Sequence, residues 1–377
     1  MPPDLSRYPG AGTATPHRAD IDGTVPPSRP PAPRPPEPVA GGSSRRLWSG
    51  RIAGLLVAVA VLVLLVTVSV ALGSRTIALP DVWRVLWHPD GSRDSIVVWQ
   101  LRMPRTMLGV AVGAALGLAG AVMQALTNNP LADPGILGVN AGAAFAVVTA
   151  IAVFGVTQVT GYVWFAFLGA ALAALVVFGL GGRSAGPAGQ IRLVLAGAAL
   201  SASLGACTGI ITMFNSTAFD SYRFWVVGSL DSRDAQTLGR IAPFLAVGVL
   251  LALTLPRQLN AMALGEDVGR SLGVPAVRMR LVAFTSVTLL CGAATAAAGP
   301  IGFVGLVIPH AVRLVVGVDQ RWVLPYSLLT APILVLGSDI LGRVVARPGE
   351  LEVGIVTAFV GAPVLLGLVM RRRAGRA

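Results

Sequence analysis

The sequence predicts an all-α fold, a polytopic membrane helical bundle of about ten transmembrane helices. Three observations predict it. Of 377 residues, 54% are hydrophobic and only 12% are charged, whereas soluble chains carry roughly 25% charged residues. Charge-free apolar runs recur at lengths that cross a bilayer. Arginines gather between those runs and at both ends of the apolar region, where they carry topology information.

The elements follow in order. Residues 1–50 are a proline-rich tail, as in SRPPAPRPPEP, read as disordered with polyproline II character. Arg45, Arg46 and Arg51 precede a charge-free run from Ile52 to Gly73, a first span too long and too far from Met1 for a signal peptide. It opens a transmembrane domain over 51–373. Further spans are expected near 106–126, 136–154, 160–181, 191–214, 241–256, 281–298, 300–317, 323–344 and 353–370. Residues 374–377 are a short C-terminal tail behind Arg371, Arg372 and Arg373. Positive charge at both ends puts both termini in the cytoplasm, and an even number of spans satisfies that.

The connections near 74–105, 215–240 and 345–352 then fall outside, and those near 127–135, 182–190, 257–280 and 318–322 inside. Arg75, Arg84, Arg93, Arg102 and Arg105 run against the positive-inside bias, and Asp81, Asp90 and Asp94 offset them only in part. Small residues in GVAVGAALGLAGAV (109–122) read as close helix packing. GAALGLAG (113–120) echoes GAATAAAG (292–299), each opening a four-span half, and by span count the halves run in opposite directions. Inverted repeats around a central site are a transporter device.

Composition also excludes functions. There is no lysine among the 29 basic residues, and a phosphate-binding P-loop needs one, so the chain is not expected to hydrolyse ATP itself. Cys207, Cys291, His17, His88 and His310 lie too far apart for a metal site. The net charge of +12 is spread as topology signals and does not point to nucleic acid.

One inside segment, LNAMALGEDVGRSLGV (259–274), interrupts the lipid pattern. Leu264, Val268 and Leu272 fall four apart, as do Gly265, Gly269 and Gly273, which on one helix gives an apolar stripe beside a bare one. Glu266, Asp267 and Arg270 supply no cationic excess, which argues against a lipid-surface role.

Six stretches in order, LRMPRTML (101–108), AGAVMQALTNNPLADPGILGVNAGAA (119–144), FWVVGSL (224–230), ALGEDVGRSLGV (263–274), GPIGFVGLVIPHAVRLVVG (299–317) and GSDILGRVVARPGELEVGIVTAFVGAP (337–363), carry a resemblance over roughly residues 50–373. The chain resembles the FecCD-type permeases of ABC importers for iron–siderophore complexes, haem and cobalamin. The resemblance implies the type II importer permease fold in a bacterial cytoplasmic membrane, a second permease subunit, an external substrate-binding protein and two cytoplasmic ATPase subunits that bind ATP and Mg. An iron–siderophore cargo is favoured, with haem or cobalamin as the alternative.

The resemblance also implies roles for residues. Arg102, Arg105 and Arg343 match arginines that receive acidic residues of the binding protein, and a planar guanidinium suits a carboxylate; snorkelling to lipid headgroups is the other reading. Leu264, Gly265, Glu266, Asp267, Arg270 and Gly273 fall in the segment that seats in the ATPase. Asp339, inside a span and four residues before Arg343, reads as an intramembrane pair with it. Gln124, Asn140, Ser184 and Gln190 are pore or gate candidates, although Gln124 and Asn140 suit helix-to-helix hydrogen bonds equally. Glu352 and Gln320 depart from the family pattern, which commonly has proline and histidine there. Two rival classes remain: an ion-coupled secondary transporter, for which only Asp339 lies clearly within a span, and an intramembrane enzyme, for which no nucleophile–base pair is evident.

Overall fold

The computed structural model describes residues 42–73, 77–182, 186–231 and 235–374, and among them every regular element is helical. The chain opens with α1 (Gly42–Ala71), then α2 (Leu79–Trp87), α3 (Arg93–Ile96), a π-helical stretch Val97–Arg102 and α4 (Met103–Leu126). After a 3₁₀ turn at Pro134–Leu137 come α5 (Val139–Phe154), α6 (Val159–Val177), α7 (Gly186–Phe214), α8 (Ser216–Trp225) and α9 (Ala235–Leu253). Two short helices, α10 (Pro256–Met262) and α11 (Glu266–Ser271), lead to α12 (Ala276–Ala298), α13 (Val304–Val316), α14 (Gln320–Val345) and α15 (Val353–Ala374).

Among the described residues, 7 helices are long and apolar enough to cross a membrane, and three shorter apolar helices, Val139–Phe154, Val304–Val316 and Val353–Gly367, accompany them. Together they fall on the ten expected spans. α1 begins at Gly42, inside the stretch 1–50 assigned to the tail, so the helical region starts earlier than the charge pattern suggests. α9 likewise starts at Ala235 rather than near 241.

α4 and α12 form the centre: 78% and 72% of their apolar windows lie inside the bundle, against 11% for α1 and for α7. α4 packs against α13 and α14, while α12 packs against α5 and α6. Exchanging the halves α4–α7 and α12–α15 maps one set of contacts onto the other, the pattern that the inverted repeat predicts.

Small residues set the spacing. A Cβ added at Gly113 would lie 2.6 Å from the Pro332 Cα, and one at Gly117 would lie 2.7 Å from the Ser327 carbonyl oxygen. One at Gly120 would collide with the Gly305 backbone. The absent side chains let α4 press directly on α14 and α13, where lipid provides no hydrophobic force to drive helices together. A second junction joins three loops. Gly228 (φ 77°) lies against the Pro300 carbonyl and Gly299 (φ 75°) against the Trp225 carbonyl. Ser229 N–H donates to the Ala298 carbonyl at 2.7 Å, and Gly354 N–H to the Gly228 carbonyl at 3.1 Å. These contacts fix the loops that carry Asp231 and Glu350.

Gly120→Val should destabilise the bundle by on the order of 1–3 kcal/mol, as overpacking does. Thermal unfolding in detergent checks this, with Gly239→Val as control, because a Cβ at Gly239 would meet nothing within 4 Å. Equal melting of the two variants would refute the role assigned to Gly120.

Candidate functional site

The chain places its most polar buried cluster where α1 ends. The last carbonyls of a helix lack intrahelical partners and carry negative partial charge. Here arginines from elsewhere in the chain supply the donors. Arg102 Nη1 donates to the carbonyls of Val70 (2.9 Å) and Ala71 (2.7 Å). Arg343 Nη1 donates to those of Ser69 (3.0 Å) and Leu72 (2.8 Å), and Arg347 Nη2 to that of Gly73 (3.1 Å). Gly73 is bare for a reason: its Cβ would sit 2.6 Å from Arg102 Nη2.

The cations are themselves balanced. Asp339, fully buried in α14, accepts from Arg105 Nη2 at 2.7 Å through Oδ1 and from Arg343 Nη2 at 2.5 Å through Oδ2. Arg105 Nε also reaches Asp339 Oδ1 at 3.1 Å. The remaining nitrogen, Arg105 Nη1, donates to Asp231 (3.1 Å) and to Glu350 (2.7 Å). Arg343 Nη2 additionally donates to Ser69 Oγ at 2.7 Å, which shares a hydrogen bond with Thr106 Oγ1. The predicted Asp339–Arg343 pair is therefore present, with Arg105 as a third member that sequence spacing could not reveal.

The structure brings Arg102, Arg105 and Arg343 together but does not leave them as surface cations. They are 6%, 9% and 2% exposed, and each holds acceptors within the chain. The groups of this cluster nearest solvent are the carboxylates of Asp231 and Glu350, with side chains 55% and 32% exposed.

Gln124 and Asn140 are joined to neighbouring helices. Gln124 is 2% exposed; its Nε2 donates to the carbonyls of Gly305 (3.0 Å) and Leu306 (3.1 Å), and its Oε1 accepts from Arg313. Asn140 Oδ1 accepts from Thr295 Oγ1 at 3.0 Å. Of the two readings, the helix-to-helix bond is the one observed. Ser184 lies outside the described residues, as does the Gln190 side chain on α7.

At the other end of α14 lies the segment 256–275. It is not one helix. Gly265 (φ 115°) and Gly273 (φ 82°) are turn positions that side-chain-bearing residues rarely adopt, and they break the chain on either side of α11. The bare stripe predicted from glycine spacing therefore does not form; only Gly269 lies on a helix, buried against Met262. The apolar residues do emerge: Leu264, Val268 and Leu272 are 68%, 45% and 62% exposed. Two fasteners hold the segment. Glu266 accepts from Arg270 at 2.7 Å and from Arg280 of α12 at 2.9 Å. Asn260 Nδ2 donates to Asp319 Oδ1 at 2.6 Å, while its Oδ1 accepts from Gln320 N–H at 2.9 Å, tying α10 to the start of α14. Asp319 also caps α14 through Arg321 N–H. Asp267 remains exposed.

Ten apolar helices with exchanged half-contacts, close glycine packing and polar clusters at the two ends of one membrane helix define a multi-pass membrane permease. The chain belongs to the FecCD transport family, whose model matches residues 61–371. It is 44% identical over 326 residues to the ferric enterobactin transport system permease protein FepD of Escherichia coli, covering 86% of this chain and 96% of that one. It is 37% identical to the Fe(3+)-citrate import system permease protein YfmD of Bacillus subtilis, over 88% of this chain and 98% of the relative. A solved inward-facing structure of the metal-chelate type of ABC transporter superposes with TM-score 0.75 at 30% identity, covering 84% of this chain and 98% of that one.

Asp339→Asn removes the one charge shared by two buried guanidinium groups. Breaking such a pair from one side costs about 3–5 kcal/mol, so the melting temperature in detergent should fall sharply. A variant that melts like the parent yet fails in transport would instead assign Asp339 a direct role in translocation.

Proposed function

We propose that this chain is one of two permease subunits of an ATP-driven importer that moves iron(III)–siderophore complexes across the cytoplasmic membrane by alternating access. The observation that carries the reading is the segment 256–275. It exposes Leu264, Val268 and Leu272 on and beside α11, with α11 fastened to α12 by Glu266 and α10 to α14 by Asn260, in a chain without the lysine that a nucleotide site of its own would need. Such an apolar surface is suited to seat in an ATPase subunit, with ATP and Mg held there. The relatives named for ferric enterobactin and Fe(3+)-citrate support the cargo class. The orientation follows: the segment 256–275 and both termini in the cytoplasm, the arginine cluster outside.

The second permease subunit fits α7. One exposed stripe of it carries the small residues Ala198, Ala202, Gly205 and Gly209, flanked by the exposed Leu195 and Ile210. Small residues favour close helix approach in lipid, and two such faces would line a wide, weakly polar path.

Docking of the external binding protein takes a particular form here. Arg105 Nη1 already holds Asp231 and Glu350, so an incoming carboxylate acts by replacing them. Arg102 and Arg343 keep their carbonyls and hold the platform in place.

Three measurements test these readings. In the reconstituted complex, a ferric siderophore should stimulate ATP hydrolysis above haem or cobalamin, and uptake in membranes lacking any ATPase would overturn the importer reading. Leu264→Glu or Leu272→Glu, each made singly, should weaken ATPase association roughly 10- to 100-fold, the equivalent of about 1.5–3 kcal/mol for one buried leucine, with the chain still in the membrane. Glu350→Gln should tighten capture of the binding protein several-fold by removing a competitor for Arg105; weaker capture would show that Glu350 itself is part of the docking surface.

A further inference from the structure

We propose that α2 is an interfacial anchor, lying in the phospholipid headgroup layer with Trp83 and Trp87 as its membrane contacts. At nine residues it measures about 13 Å at 1.5 Å per residue, far short of a roughly 30 Å hydrocarbon core. It therefore cannot span. Its two faces are sharply different. Val82 and Val85 are 3% and 4% exposed and join Val70, Ala71, Ile77 and Val98 in a small separate core. Opposite them, Trp83 and Trp87 are 65% and 67% exposed, one helical turn apart, with ring centroids 5.8 Å from each other. Pro80 and Arg84 share that outer face.

What covers this face is fixed by where the inner face sits. Val70 and Ala71 form the last turn of α1, and the α1 span is only 11% buried, so its surface is continuous with lipid. Packing on that turn holds α2 at the depth where the hydrocarbon ends. Trp99 strengthens the attachment by donating its indole N–H to the Val85 carbonyl at 3.1 Å. Indoles, with a broad apolar ring and one N–H donor, concentrate at this depth. Arg84, paired with Asp81 at 2.9 Å and largely exposed, can extend towards lipid phosphate from the same face.

The anchor also reaches the polar cluster. The carbonyls that Arg102 engages belong to Val70 and Ala71, the residues on which α2 rests. Contact with headgroups thereby sets the height of the arginine platform relative to the bilayer surface.

The test uses the full chain reconstituted in phosphatidylcholine–phosphatidylglycerol vesicles containing lipids brominated either near the glycerol backbone or near the chain terminus. Subtracting the emission of Trp83→Phe/Trp87→Phe from that of the parent isolates two of the seven tryptophans. The difference emission should be quenched at least about twofold more by the shallow bromines than by the deep ones. Each single variant carries the same readout separately, and both positions are exposed enough for phenylalanine to leave the fold intact. Difference emission quenched by aqueous iodide and by neither lipid would overturn the proposal. So would protection from iodide that depends on the binding protein, or on a second permease copy. Stronger quenching by the deep bromines would place α2 in the hydrocarbon core and overturn it equally.

Discussion

The structure depends on the need to satisfy the carbonyls where α1 ends. From Ser69 to Gly73, five successive carbonyl oxygens accept from Arg102, Arg343 or Arg347. Each unsatisfied group in an apolar surrounding costs several kcal/mol, so the donors must be supplied; cations suit a helix C-terminus best. Burying cations creates a second demand for counter-charge. Asp339 meets it for Arg343 and Arg105 together, and Asp231 and Glu350 complete Arg105. The end of one apolar helix thus draws polar side chains from α4, from α14 and from two loops into one cluster.

Geometry must allow those side chains to meet, and glycine provides it. Gly113 and Gly117 let α4 press on Ala331 and Pro332 of α14. Asp339 stands about two turns further along the same helix, so its distance to Arg105 follows from the packing below it. Gly228, Gly299 and Gly354 do the same for the loops bearing Asp231 and Glu350. At the other end of α14, Asn260 and Asp319 join it to α10. α14 extends about 39 Å for its 26 residues, so one continuous helix connects the segment assigned to the ATPase with the cluster assigned to the binding protein.

Much of this was legible in the sequence, and the failures share a cause. Apolar run length found seven of the helices because the bilayer imposes a spanning length on each separately, while the three shorter ones were marked by their apolar composition. The Asp339–Arg343 pair was legible because both residues lie one turn apart on one helix. Arg105 as their third member was not, since it approaches across 234 positions of sequence. Gln124 could not be resolved between pore and packing, because its acceptors are backbone carbonyls of another helix, and backbone leaves no mark in composition. The segment 259–274 shows the opposite failure. Its four-residue spacing is real, but Gly265 and Gly273 take φ values of 115° and 82° and interrupt the helix that would convert spacing into stripes. Leu264, Val268 and Leu272 nevertheless emerge into the open, whereas Leu259 of the same segment is buried.

Of the five arginines that run against the positive-inside expectation, Arg102 and Arg105 belong to this cluster and Arg84 is paired with Asp81. That bias concerns charges that remain hydrated and repel transfer across the membrane. In the folded chain Arg105 and Arg343 share Asp339, Asp231 and Glu350, Arg102 and Arg347 are held by the carbonyls at the end of α1, and Arg84 is paired with Asp81. Arginines neutralised in this way mark architecture rather than orientation. Counting charges without asking which ones the fold will neutralise makes the outer surface look too positive. Once the end of α1 is seen to require its donors, the place of Arg102 in that excess becomes a consequence of helix chemistry, and that of Arg105 follows from the carboxylates gathered beside it.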